Sequence, residues 1–87
     1  MEELIKKIKL WGIDRDIDTG NSLIQSTKTL EEVIELQQAI YNNRRLEIKD
    51  AIGDVFVTLV MICLQERIDI KDCVEYSYNE IKDRKGK

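Results

Sequence analysis

The chain has 87 residues, enough for one domain and too few for two. Its 17 Asp and Glu outnumber 14 Lys and Arg, for a net charge of −3, and this mild acidity argues against a nucleic-acid polymer as main partner. The absence of histidine excludes Ser–His and Cys–His nucleophilic pairs, imidazole bases and His-ligated metals; carboxylates, amines, hydroxyls or a hard cation must carry any chemistry.

Helical spacing dominates the chain, and no proline interrupts it. Leu4, Ile5, Ile8 and Trp11 form the stripe of a short first helix that Gly12 can end. Ile13 to Ser22 reads as a polar loop with Gly20 and Asn21 as turn residues. A second helix is predicted from Leu23 to about Asn42, with Leu23, Leu30, Val33, Ile34, Ala39 and Ile40 as its apolar positions and Asn42-Asn43 as its stop. A third runs from Leu46 to about Arg67. Asp69 then reads as the N-cap of a fourth, whose inner stripe is Ile70, Cys73, Val74, Ser77 and Ile81. The expected fold is all-α, a single four-helix domain over residues 1–87.

The N-terminal stretch Met1 to Lys7 has no apolar leader-like run, so reduced cysteines and a cytoplasmic location are expected. Cys63 reads as a small buried hydrophobe, and Cys73 shares no short metal-ligand spacing with it. The third helix is unusual, because from Ala51 to Leu64 its only charged residue is Asp54. The run is too short, and its acid too costly, for a membrane span. It predicts a helix buried nearly all round, which so small a chain can hardly wrap alone, so a homo-oligomer, dimer or tetramer, is expected.

An acid inside an apolar helix pairs, protonates or binds a cation. Asp50 lies four residues before Asp54 and Glu47 seven before, all within about 60° around the helix axis. On the second helix Glu31 and Glu35 share a face and Glu32 flanks it. Antiparallel packing through Asn42–Arg45 would let four to six carboxylates converge, and a hard divalent cation such as Mg²⁺ would hold them together. The competing reading leaves Glu31 and Glu32 as solvated acids paired with Lys28. Asp14, Asp16 and Asp18 alternate like the start of a calcium loop, but Thr19 and Gln25 stand where Gly and Glu are needed, so a polar loop is expected there.

These residues resemble a known family. Glu31-Glu32-Val33-Ile34-Glu35 matches the EExxE motif of the MazG-like nucleoside triphosphate pyrophosphohydrolases, and Asp50 to Phe56 (DAIGDVF) is similar to their second motif, an ExxD with Gly before the Asp. The segment Tyr78 to Lys87 is similar to the stretch that closes their site with Asn and basic side chains. The resemblance covers about residues 5 to 87, most closely the small single-domain members of phages and bacteria. One position departs: the usual Glu falls at Ala51, which cannot ligate a metal. Asp50 and Asp54 together offer one repair, and Glu47 to Asp50 (EIKD) read as the ExxD offers another.

The resemblance implies Mg²⁺, with Mn²⁺ as substitute, held by Glu32, Glu35, Asp50 and Asp54, and Glu31, Glu32 and Glu35 as the catalytic acids. Hydrolysis of a nucleoside or deoxynucleoside triphosphate to the monophosphate and pyrophosphate would follow, as in housecleaning of the nucleotide pool. Asn79, Lys82, Arg84 and Lys85, with Lys28, would contact the substrate, and Trp11 could stack on its base or sit in the core. The alternative is a catalytically inert helical oligomer that binds nucleotide or a protein partner. A plain dimerisation bundle is the third reading.

Overall fold

A computed structural model describes residues 1–86. Four α-helices follow one another: α1 (Glu2–Asp14), α2 (Ser22–Tyr41), α3 (Arg45–Glu66) and α4 (Ile70–Ile81), with a 3₁₀ turn, Ile17–Thr19, between α1 and α2. Among the described residues there is no strand, and no helix is long and apolar enough to cross a membrane.

Local chemistry sets these boundaries. Asn21 caps α2, its side-chain oxygen accepting from the N–H groups of Leu23 (2.8 Å) and Ile24 (3.2 Å). At the other end Asn43 adopts a left-handed backbone (φ 51°), and the N–H of Arg44 returns to the carbonyl of Ala39. Asp69 caps α4 by accepting from Lys71 N–H at 3.0 Å. The segment expected to be a polar loop is largely ordered: Ile17 is half-buried against the core, and its carbonyl accepts from the Gln65 side chain at 3.0 Å.

Gly12 does not end α1, which continues to Asp14. Glycine serves close approach instead. A Cβ there would lie 2.5 Å from the Met61 sulfur and 3.3 Å from a Leu64 methyl, so α1 crosses α3 tightly at this point. Met61 is itself only 2% exposed and has little room to yield. Gly12→Ala is therefore expected to destabilise the fold by about 1–3 kcal/mol, read by denaturant unfolding, despite the gain in helix propensity.

The core gathers at this end of the molecule. Val60, Met61, Cys63 and Ile70 are buried, with Ile5, Ile8, Phe56 and Leu64 packed around them. Trp11 lies outside it, 43% exposed, beneath the Arg15 guanidinium at 4.4 Å from its ring centre.

The most extensive helix contact is between α2 and α3, and its chemistry reverses the expected pattern. The α2 residues nearest α3 are Gln25, Ser26, Thr29, Glu32, Leu36 and Ala39, half-buried or buried, at helical spacing. The predicted apolar stripe points away: Leu23, Leu30, Ile34 and Ile40 are exposed, and of the predicted apolar positions only Ala39 is buried. Likewise α3 is not covered all round within one chain, since Ile52 and Leu59 reach solvent. On α4 only Ile70 is buried and Cys73 half-buried, while Val74, Ser77 and Ile81 of the expected inner stripe are exposed.

Candidate functional site

The polar lining of α2 is what brings acids together. The Thr29 hydroxyl donates to the Thr58 hydroxyl at 2.9 Å, and this fixes the register of the antiparallel pair. Glu32 lies one helical turn beyond Thr29, and Asp54 one turn before Thr58, so the two acids face one another across the interface. Glu35 and Asp50 follow, one turn further toward the α2–α3 connection. Ala39 and Ala51, 4% and 5% exposed, are small enough to let the backbones approach there.

The electrostatics of these four carboxylates are mutual. Burial raises the Glu32 pKa above the ordinary glutamate value. The neighbouring Glu35 carboxyl, within hydrogen-bonding reach, and the charges of Asp54 and Asp50 push it the same way. Asp54 is raised by burial, then by the charge and hydrogen-bonding reach of Asp50, then by Glu35. Oε2 of Glu32 is sealed from solvent and meets no N–H or O–H donor. Such an orphaned buried acceptor costs free energy unless it gains a proton or a cation. Among the described residues no three acidic or thiol side chains already form a closed metal cage, so ligation requires the carboxylates to turn toward a common point.

Beside the acids lies a cleft of about 490 Å³ lined by Glu35, Gln38 and Asn42 from α2 and its C-terminal end and by Arg44, Asp50 and Asp54 from the start of α3 onward. Glu47 and the small Ala39 and Ala51 complete its lining. Arg44, the N-cap residue of α3, contacts both Glu47 carboxylate oxygens at 3.4 Å, a long and exposed pairing. The positive end of the α3 dipole is therefore at the same place. An arginine, two side-chain amides and a helix N-terminus next to clustered carboxylates can receive an anion that arrives with a cation.

The expected site residues divide accordingly. Glu32, Glu35, Asp50 and Asp54 come together. Glu31 is exposed and outside the cluster, so the inward partner of Glu35 is Glu32, which had been expected only to flank that face. Glu47 sits at the rim. Lys28, expected to contact substrate, is exposed and does not line the cleft. None of the three ion pairs among the described residues includes it, so the pairing with Glu31 and Glu32 of the competing reading is absent as well. Trp11 belongs to α1, which meets α3 near Met61, well away from the acids. Asn79, Lys82, Arg84 and Lys85 are exposed and do not line the cleft, and Lys87 lies outside the described residues. Sequence reasoning missed Gln38, Asn42 and Arg44, which read as ordinary helix-end residues; the arginine pair Arg44-Arg45 between two acidic helix faces was the available signal.

Comparison with known proteins fits this arrangement. The relative found, 37% identical over 70 residues, is named "Uncharacterized 18.2 kDa protein in rep-hol intergenic region", from Haemophilus phage HP1 (strain HP1c1). The matched stretch is 79% of this chain and 43% of that protein, so the chain spans less than half the length of its relative. No solved structure matches significantly. The family model for the MazG nucleotide pyrophosphohydrolase domain matches residues 19–87, which hold α2, α3, α4 and every acid of the cluster, and the chain belongs to that family.

Proposed function

We propose that this chain hydrolyses nucleoside triphosphates to the monophosphate and pyrophosphate at the α2–α3 cleft, with Mg²⁺ as cofactor and Mn²⁺ as substitute. The observation that carries the reading is the unpartnered Oε2 of Glu32, half-buried opposite the half-buried Asp54, with the exposed carboxylates of Glu35 and Asp50 close enough to act on both. Hard oxygen donors of this kind suit magnesium, whose neutralisation of phosphate charge and lowering of a water pKa are the chemistry it supplies when bound.

The chain's own residues do the rest. Glu32, Glu35, Asp50 and Asp54 hold the cation. The pairing of Asp50 with Asp54 supplies a second acid on α3 although Ala51 has none. A carboxylate of the cluster orients the attacking water, and Glu35, exposed at the cleft wall, is best placed for this. Arg44 donates to phosphate oxygens, with the amides of Asn42 and Gln38 beside it.

A homo-oligomer is part of the proposal. The reversed pattern of α2, polar toward α3 and apolar toward solvent, supports it, as do the bare Ile52 and Leu59 of α3. A second copy covering these faces is also a route by which Asn79, Lys82, Arg84 and Lys85 reach a cleft. The reading is tested by pyrophosphate release from a panel of ribo- and deoxyribonucleoside triphosphates, with and without Mg²⁺, beside light scattering of the same sample. Mg²⁺-dependent release from an oligomer is expected. A folded protein that turns over none of the panel overturns the enzymatic reading in favour of an inert helical oligomer, and a monomer at micromolar concentration overturns the assembly.

A further inference from the structure

We propose that Cys63 and Cys73 are a redox modification site: a low-molecular-weight disulfide oxidises them to an intramolecular bond that staples α4 to α3. Both thiols are free, and their sulfurs are 4.0 Å apart across the turn that joins the two helices. That turn is well determined. Arg67 takes a left-handed backbone (φ 58°), the N–H of Ile68 donates to the Cys63 carbonyl at 2.9 Å, and the N–H of Cys73 donates to the Asp69 carbonyl at 3.3 Å. Each cysteine is thus held by the turn's own hydrogen bonds. Closing to a sulfur–sulfur distance of about 2.05 Å asks the two sulfurs to approach by about 2 Å, a distance that side-chain rotation, chiefly of the half-buried Cys73, can cover.

The position gives the bond leverage. Beyond Cys73 every residue of α4 is exposed, so Ile70 and Cys73 are its main anchors to the core. A covalent tie one turn into the helix would fix the element that carries Asn79 and leads to Lys82 and Arg84. The bond itself does not depend on the proposed catalytic function.

Exchange proceeds in two balanced steps. The Cys73 thiolate attacks one sulfur of the oxidant RSSR, forming a mixed disulfide and releasing RS⁻. The Cys63 thiolate then attacks the Cys73 sulfur and releases the second RS⁻. Two protein thiols are oxidised, their two protons pass to the leaving thiolates, and RSSR is reduced to two RSH. In the dithiol form burial, the adjacent Cys73 and the charge of Asp69 push the Cys63 thiol up to about 11 against the opposing charge of Lys9, so the more exposed Cys73 makes the first attack.

The full chain is incubated with oxidised glutathione and followed by intact mass, thiol titration and melting. The expected result is loss of both thiols with no retained glutathione and no interchain bond. The Tm should rise by roughly 10 °C, reversed by a thiol reductant. Trypsin cleavage after Lys71, inside the closed loop, should slow. Cys63→Ser should instead stop at a stable glutathione adduct on Cys73 with no gain in Tm. Two persistent adducts in the wild type, an interchain disulfide, or thiols unreacted in the folded chain under conditions that oxidise the denatured one would each overturn the proposal.

Discussion

Asp54→Asn and Glu35→Gln are each expected to lower kcat/KM for pyrophosphate release by at least about 10²-fold without loss of helix content. Both substitutions keep shape and remove charge. Asp54 is the acid set in the apolar run of α3, facing Glu32 across the helix interface. An amide there can still hydrogen-bond but no longer neutralises a divalent cation, and the triphosphate arrives with it. Glu35 stands between the cluster and the cleft, contributing charge to both Glu32 and Asp54. Glu31→Gln is the internal control: the residue is exposed, outside the cluster, and its loss should change the rate only slightly. Equal losses at Glu31 and Glu35 would show that the motif acts through a geometry other than the one described. Unimpaired turnover in Asp54→Asn would remove the carboxylate cluster from the mechanism.

Why Glu31 and Glu32 separate in this way was not legible from spacing. Adjacent helical residues differ by about 100° around the axis, and which one faces a neighbour depends on the crossing of the two helices. The apolar pattern of α2 pointed the wrong way for the same reason. Leu23, Leu30 and Ile34 mark a face meant for burial, yet the contact with α3 is made by Thr29, Glu32 and Ala39. Periodicity reports that a face is apolar; it does not report which of two partners covers it.

What could be read locally was read well, because its causes are local. The Asn42-Asn43 stop rests on a left-handed asparagine, and the Asp69 cap on one hydrogen bond to Lys71. Gly12 shows the limit of such signals. A glycine after an apolar stripe looks like a helix end, and only the position of Met61 across the crossing reveals it as a close-approach residue. The meeting of acids from α2 and α3 was legible, since Asp54 needed partners and the hairpin supplied them, but Glu31 and Glu47 of the expected set lie outside the group that acts on Glu32. The cleft was not, because Gln38, Asn42 and Arg44 acquire their role only when the α2–α3 connection brings them beside Glu35 and Asp50.

The same cluster should lose its fall of stability with pH when magnesium is added. In chelator, the Tm is expected to fall as pH rises from the ordinary carboxylate value near 4 through the raised values of Glu32 and Asp54. Both acids have pKa values raised above their ordinary ones by burial first, then by neighbouring carboxylates, Glu35 foremost for Glu32 and Asp50 for Asp54. Between the ordinary value near 4 and the raised one, the folded chain binds more protons than the unfolded chain. The slope of unfolding free energy against pH is then negative, and stability is lost on deprotonation. Below about pH 4 both states are protonated and these two groups contribute nothing. Asp69 acts in the opposite sense and in a different window. Its pKa is lowered, first by the Lys71 N–H and then by the charge of Lys9, so its contribution is present above the ordinary value and lost as pH falls through the lowered one. The two effects therefore do not overlap. Magnesium at about a hundred times its Kd adds about 2.7 kcal/mol, or roughly 10–20 °C in a domain of this size. Because it binds the deprotonated cluster, that gain grows with pH and cancels the fall. Glu32→Gln and Asp54→Asn should flatten the slope in chelator and abolish the response to magnesium together. Melting curves across that pH range, with chelator or magnesium, measure both, and a wild-type Tm indifferent to magnesium at every pH would show that the carboxylates do not hold it.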